Sequence, residues 1–438
     1  MKRSKLRISN PLRIPSLNNI SRSRLIFLFI LTITSLYFLL FIYLDTFRFP
    51  LTWDEPRFWR VSLSFSQSLI PTLDQLKDYG ELNTPLPFII FGILENLFHG
   101  GIFAGRALNL ILSFLIICLI GLSRSKKEQI ESARTKTGFD SRKHNEAQNK
   151  EKIVPMLSVI GLISFPYYLW LSSHLYTDII ATFFVLIGFW FYVRNQQILS
   201  GFAFILAIAS RQFMLAFPAA IVAFEVISAL QSGSKIGARQ FVPLLATSSF
   251  FAWLLLFKGL APSSALTSEN LVVPLVQQQL FAIDPRGSLY FLSAVGLYFV
   301  IPEWLLFSRK VILRSLLTKK VGLLAFCLLV LFIIFPPIEA HGILFKVTQA
   351  ISIYPLKIVF LYTLAVLPLI RFSHLNLAFW VLLANTTIML KAYPWEKYLL
   401  PLLVVFWYLK ANGLLDHIRL PSVSQRILNN QGSESSDV

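Results

Sequence analysis

A chain of 438 residues with 55% hydrophobic and only 14% charged side chains carries more apolar surface than a soluble core can bury, which excludes a water-soluble globular protein. A net charge of +18 would suit a nucleic-acid binder, but the Lys and Arg lie in short segments between apolar runs, the positive-inside pattern of a polytopic membrane protein with no nucleic-acid partner. Cys118 and Cys327 both fall inside apolar runs and read as packing residues, not as a disulfide or thiolate metal motif.

Residues 1–24 carry Lys2, Arg3, Lys5, Arg7, Arg13, Arg22 and Arg24 and no acid, and the apolar run 25–44 follows. At about 1.5 Å per residue that run spans the roughly 30 Å hydrocarbon layer, so it reads as an uncleaved anchor with the basic tail cytosolic. The loop 45–101 is then external. It holds Asp54, Glu55, Asp74, Asp78 and Glu81, an unusual density of carboxylates in so apolar a chain. The piece 85–98 is short and interrupted by Glu95, so it is expected to lie in the outer interface; two interfacial helices are predicted, with Pro71, Pro85 and Pro87 as breaks.

The run 102–122 crosses to a polar cytosolic loop, 124–152. Runs 153–172 and 179–193 cross out and back around a turn holding His174, Tyr176 and Asp178. The run 199–230 is too long for one straight span and carries Arg211-Gln212 near its middle; parity between cytosolic Arg194 and the Lys235/Arg239 segment demands two crossings, with Arg211 near the outer turn. An arginine at that depth is costly, by roughly 2.5 to 3.5 kcal/mol on insertion scales, unless it meets water or an anion. Runs 241–257, 288–307, 321–338, 355–370, 375–390 and 398–409 continue the alternation, with Glu269, Asp284 and Arg286 external, Arg309, Lys310 and Arg314 cytosolic, and 412–438 as a cytosolic tail. The predicted fold is all-α, a single transmembrane domain over 25–411 with about twelve helices and both termini inside.

On this topology Trp53, Asp54, Glu55, Tyr176, Asp178, Arg211, Gln212, Lys391, Glu396 and Lys397 gather at outer helix ends. Moving a sugar off a lipid phosphate needs a carboxylate to take the acceptor proton, cations for the departing phosphate and an apolar groove for the lipid. Asp54 and Glu55 are the catalytic candidates, with Asp54 as base. Arg211, Lys397 and Lys391 are the phosphate candidates, and Tyr176, Asp178, Gln212, Glu396 and Trp53 the candidates for sugar or acceptor. The plainer alternatives are that Asp54 and Glu55 pair with Arg57 and Arg60, that Arg211 pairs with Asp178, and that the lysines are interfacial anchors. His174 and His341 beside Asp178 and Glu339 are too scattered to demand a metal, and no cofactor is indicated.

These residues resemble a known family. Asp54-Glu55 after the first apolar run, Thr84-Pro85-Leu86-Pro87 leading into the interfacial piece and Arg106-Ala-Leu-Asn109 opening the next span look like the GT-C fold of polyprenyl-phosphate-sugar glycosyltransferases. Tyr176-Thr-Asp178, Arg211-Gln212 and Pro394-Trp-Glu396-Lys397-Tyr398-Leu-Leu-Pro401 are similar to signatures of the dolichyl-phosphate-glucose α-1,2-glucosyltransferase family. Where that family has Asp-Asn-Arg-His-Tyr, this chain has Glu339-Ala-His341-Gly342, and Lys397 stands in place of an arginine. The resemblance implies inverting hexosyl transfer, glucose favoured, from a polyprenyl-phosphate sugar to a lipid-linked glycan or similar acceptor. The bacterial inner membrane is the expected location, with the endoplasmic reticulum membrane as the alternative, and the active site faces away from the cytosol. A lipid-sugar flippase, or a polymerase or ligase using a diphosphate-linked donor, remain the competing readings.

Overall fold

The structure, a computed structural model, describes residues 22–44, 47–123, 142–233, 237–267, 273, 275–307, 319–337 and 341–416, with the backbone alone for 22, 142–152 and 319–320. The tail 1–21, most of the 124–152 loop, the tail beyond 416, and Lys235, Glu269, Arg309, Lys310, Arg314 and Glu339 lie outside the described residues. Among the described residues every regular element is helical, apart from one isolated bridge between His341 and Trp395.

Among the described residues six helices are long and apolar enough to cross a membrane: Ser23–Tyr43, Ile102–Gly121, Gln212–Ser232, Ala238–Phe257, Pro285–Phe307 and Tyr354–Arg371. This is a multi-pass α-helical membrane protein. The predicted run 153–172 is two helices bent by 75°, Ile153–Ile163 and Pro166–Ser173, where one was expected. Pro166 is the cause, because its ring pushes Phe165 to an extended φ of −75° and ψ of 115°. Thr177–Val193, Gln197–Ser210, Val321–Ile334 and Leu377–Lys391 are also apolar but shorter than the roughly 20 residues a straight span needs.

Some elements depart from expectation. The first loop contains three helices instead of two, α1 (Glu55–Phe65), α2 (Leu73–Lys77) and α3 (Leu86–Phe98). The extra one, α2, starts on a capping box in which Thr72 and Gln75 satisfy each other's backbone amides. The run 199–230 divides where expected: Gln197–Ser210 ends at Arg211, whose φ of −155° and ψ of 126° are extended, and a 3-10 turn over Gln212–Leu215 opens the next helix. A short amphipathic helix, α4 (Ile343–Ala350), was not predicted.

Pro285–Phe307 is α-helical except for a π-helical turn at Gly296–Val300. In a regular helix Tyr290 and Tyr298 would sit about 80° apart around the axis, and the wider turn absorbs nearly one residue, bringing them toward one face. Both hydroxyls reach Glu396, at 2.7 and 2.6 Å. Gly296 permits the close passage of the Tyr354–Arg371 helix, since a methyl there would overlap the Leu364 carbonyl. At the centre, Leu400–Ala411 is apolar up to Lys410 in its last turn and buried almost throughout, as a helix of that composition must be. Phe299 contacts the rings of Phe406 and Trp407 at 5.0 and 4.7 Å.

Candidate functional site

The acidic start of α1 is built from the left-handed Trp53, at φ 54°, which turns the chain so that Asp54 and Glu55 diverge. Glu55 points inward and is fully buried. Arg106 grips it in bidentate fashion, Nε to Oε1 at 2.9 Å and Nη2 to Oε2 at 2.7 Å, while the amides of Leu175 and Thr52 donate at 2.7 and 3.0 Å. Arg106 also donates to the carbonyls of Phe47, Phe49 and Pro50. Asn109, one turn on along the same helix face, donates through Nδ2 to the carbonyls of His174 and Tyr176 at 2.7 and 2.9 Å. The spacing of Arg106 and Asn109 thus fastens two connecting segments, 47–52 and 174–176, to one helix. Burial pushes the Glu55 carboxyl up, but Arg106 and these amides outweigh it and hold the group below its ordinary value. Glu55, a catalytic candidate from the sequence, is a saturated structural carboxylate.

Asp54 faces the other way. It occupies the N-cap position of α1 without a side-chain capping bond, and 26% of its side chain is exposed. Lys397 Nζ lies 3.3 Å from Oδ2 and Arg57 Nη2 lies 3.4 Å from Oδ1. The Tyr176 hydroxyl accepts from the Asp54 amide at 3.3 Å, which ties the turn before Asp178 to the start of α1. Lys397 is buried, 3.5 Å above the Trp395 ring, and 5.0 Å from the Tyr176 ring. Buried Asp178, in the first turn of Thr177–Val193, pairs with Arg211, whose guanidinium lies 4.9 and 5.3 Å from the Phe213 and Tyr398 rings. Among the described residues the Arg211 Nε, the Thr177 and Thr182 hydroxyls and the Asp178 carboxylate oxygens are buried without a hydrogen-bond partner, so the site has both donors and acceptors to offer a ligand.

A third carboxylate joins the cluster. Glu81, fully buried, pairs with Arg57, so one guanidinium bridges Glu81 and Asp54. The cluster therefore holds Asp54, Asp178 and Glu81 against Arg57, Arg211 and Lys397. Nothing in the local sequence Gly80-Glu81-Leu82 separates Glu81 from the other loop acids; its burial arises from tertiary packing.

The remaining candidates stand apart. Lys391 Nζ donates to the carbonyls of Gln279, Leu280 and Ala282 at 2.7, 2.9 and 2.6 Å and clamps a loop. Glu396 is buried, accepting from both tyrosines and from the amides of Leu344 and Phe345 at the start of α4. Gln212 Nε2 donates to the carbonyls of Leu82 and Leu260, which holds the loop carrying Glu81 against the break at Arg211. Trp53 is 75% exposed, its ring 6.5 Å from that of Trp170. His174 Nδ1 lies 2.7 Å from the Trp170 carbonyl, and among the described residues no group of three or more His, Cys, Asp or Glu could hold a metal ion.

The assembled site offers one accessible carboxylate beside buried cations, suited to accept a proton while an anion is held close by. No protein-family model, curated protein or solved structure matches this chain.

Proposed function

We propose that the protein is a membrane glycosyltransferase that moves a hexosyl group, glucose favoured, from a polyprenyl-phosphate sugar to a lipid-linked glycan or similar acceptor, with inversion. The observation that carries this reading is Asp54, whose partly exposed carboxylate lies 3.3 Å from the buried Lys397 ammonium. Asp54 takes the proton of the acceptor hydroxyl, the freed oxygen bonds the anomeric carbon, and the bond from that carbon to the phosphate oxygen breaks with its electron pair leaving on the phosphate. Lys397 and Arg211 neutralise that charge, and their confinement in a dry site strengthens the effect. The topology proposed with this reading has about twelve crossings, counting the shorter apolar helices, both termini cytosolic and the cluster facing outward from a bacterial inner membrane.

The test is release of free polyprenyl phosphate from a panel of radiolabelled donors, wild type beside Asp54→Asn. Loss of a general base lowers turnover by about 10² to 10⁴-fold. An Asp54→Asn protein that folds and keeps full activity removes the proposal, and release only from diphosphate-linked donors moves the protein to the polymerase or ligase class. A second reading, a lipid-sugar flippase, draws on the break at Arg211 and the 75° bend, since interrupted helices mark many carriers. Counterflow of labelled lipid in sealed vesicles without transfer supports that reading instead.

A further inference from the structure

The cluster around Asp54 is electrically balanced before any ligand arrives: Asp54, Asp178 and Glu81 offset Arg57, Arg211 and Lys397. A phosphate monoester brings about −1.5 to −2 charge at neutral pH into a site where four of those six side chains, Asp178, Glu81, Arg211 and Lys397, are largely out of water. Excess negative charge in such surroundings is expensive, so a counterion or a proton must accompany it.

We propose that a phosphate monoester binds this cluster together with one proton, and that Glu81 takes that proton. The inference rests on the reading of the site as one that handles lipid phosphate. Glu81 is fully buried with one cation beside it, whereas Asp54 lies in reach of two cations and is partly open to solvent. The charged groups facing Glu81 are Arg57 and Asp54 from α1 and Arg211 from the helix break, with Tyr79 beside it on its own loop. Burial pushes the Glu81 carboxyl up to about 7, and Arg57 pulls against it. A further negative charge nearby raises it again. Protonating Glu81 also frees Arg57, paired with it through Nε, to serve the anion.

The same step balances the reaction. Transfer converts a phosphodiester carrying one charge into a monoester carrying up to two and places the acceptor's proton on Asp54; passed on to Glu81, which shares Arg57 with Asp54, that proton leaves Asp54 ionised again and the product is held without building up negative charge.

The experiment is titration calorimetry of the full chain in nanodiscs with farnesyl phosphate, in two buffers of different ionisation enthalpy, between pH 5.5 and 8.5. Near pH 8 the wild type should take up close to one proton per ligand, and its affinity should fall by up to about tenfold per pH unit there. Glu81→Gln should bind with that uptake removed, and Glu81→Asp should restore it. Below pH 6, where Glu81 already holds its proton, the difference between wild type and Glu81→Gln should vanish. Inorganic phosphate with the same Glu81-dependent uptake places recognition in the phosphate group, and uptake seen only with farnesyl phosphate makes the lipid part of it. Binding without uptake in the wild type, or uptake that persists in Glu81→Gln, overturns the proposal and leaves the phosphate site standing. Failure of the folded wild type to bind farnesyl phosphate, or equal binding of farnesol, overturns both.

Discussion

Glu55 and Asp54 are neighbours with opposite fates, and their partners decide which. Glu55 is enclosed by Arg106, so removing that arginine leaves a buried carboxylate without its counter-charge. Arg106→Met should therefore destabilise the protein by about 3 to 5 kcal/mol. Thermal unfolding in detergent reads this, and the double variant Arg106→Met with Glu55→Gln should recover part of the loss. Glu81 makes a pH prediction of its own. Its folded value of about 7 lies above the ordinary 4.5, so within that window the native chain holds a proton that the unfolded chain has lost. Stability therefore declines as pH rises from about 4.5 to 7, and Glu81→Gln should flatten that decline in unfolding curves taken across the window. Asp54, Asp178, Arg211 and Lys397 stand out in the sequence because ionised groups at apolar helix ends demand a reason. Glu81 does not, since a carboxylate in a polar loop is unremarkable until packing encloses it. Glu396 misleads for the converse reason, sitting next to Lys397 in the chain yet turned to the opposite side of the 3-10 turn, into the scaffold.

At the scale of elements, the loop before Pro285–Val295 owes its shape to Lys391, which gathers the carbonyls of Gln279, Leu280 and Ala282, while the Asp284 amide donates to the Leu390 carbonyl at 2.8 Å. Phe281 and Ile283 are left exposed at 91% and 63%. Lys391→Met should loosen this loop, seen as faster proteolysis at 279–283, without changing farnesyl phosphate affinity; a tenfold or greater loss of affinity would instead return Lys391 to the phosphate site. Periodicity and length reveal the long apolar helices but not α4, whose eight residues are fixed by capping contacts from Glu396. Gly342, at φ 128°, is the device that lets those contacts form, because any side chain there would overlap the Glu396 carboxylate. The bend at Pro166 was readable in principle from the proline, yet the continuous apolar run around it concealed it.

For the whole molecule, the proposed orientation makes a direct prediction. A cysteine placed at exposed Phe281 should react with an impermeant maleimide in intact cells, and one at exposed Asn195 only after permeabilisation, in a background lacking Cys118 and Cys327. Labelling of both from outside would break the alternation on which the outward-facing site depends. The multi-pass character was plain in the hydropathy and charge pattern, whereas the count of crossings was not, because helices of 12 to 17 residues are too short for the span rule to decide. The π-helical turn at Gly296–Val300 carries one further implication, about tolerance to insertions and deletions. Removing the absorbed residue there would restore regular winding with Tyr290 and Tyr298 seven positions apart, about 20° around the axis, and leave both facing Glu396, whereas an added residue or a second loss between them would turn one segment by about 100° relative to the other and part Tyr298 from the carboxylate it shares with Tyr290. Over this stretch the chain can lose the one residue that the wide turn absorbs, but neither gain another nor lose a second.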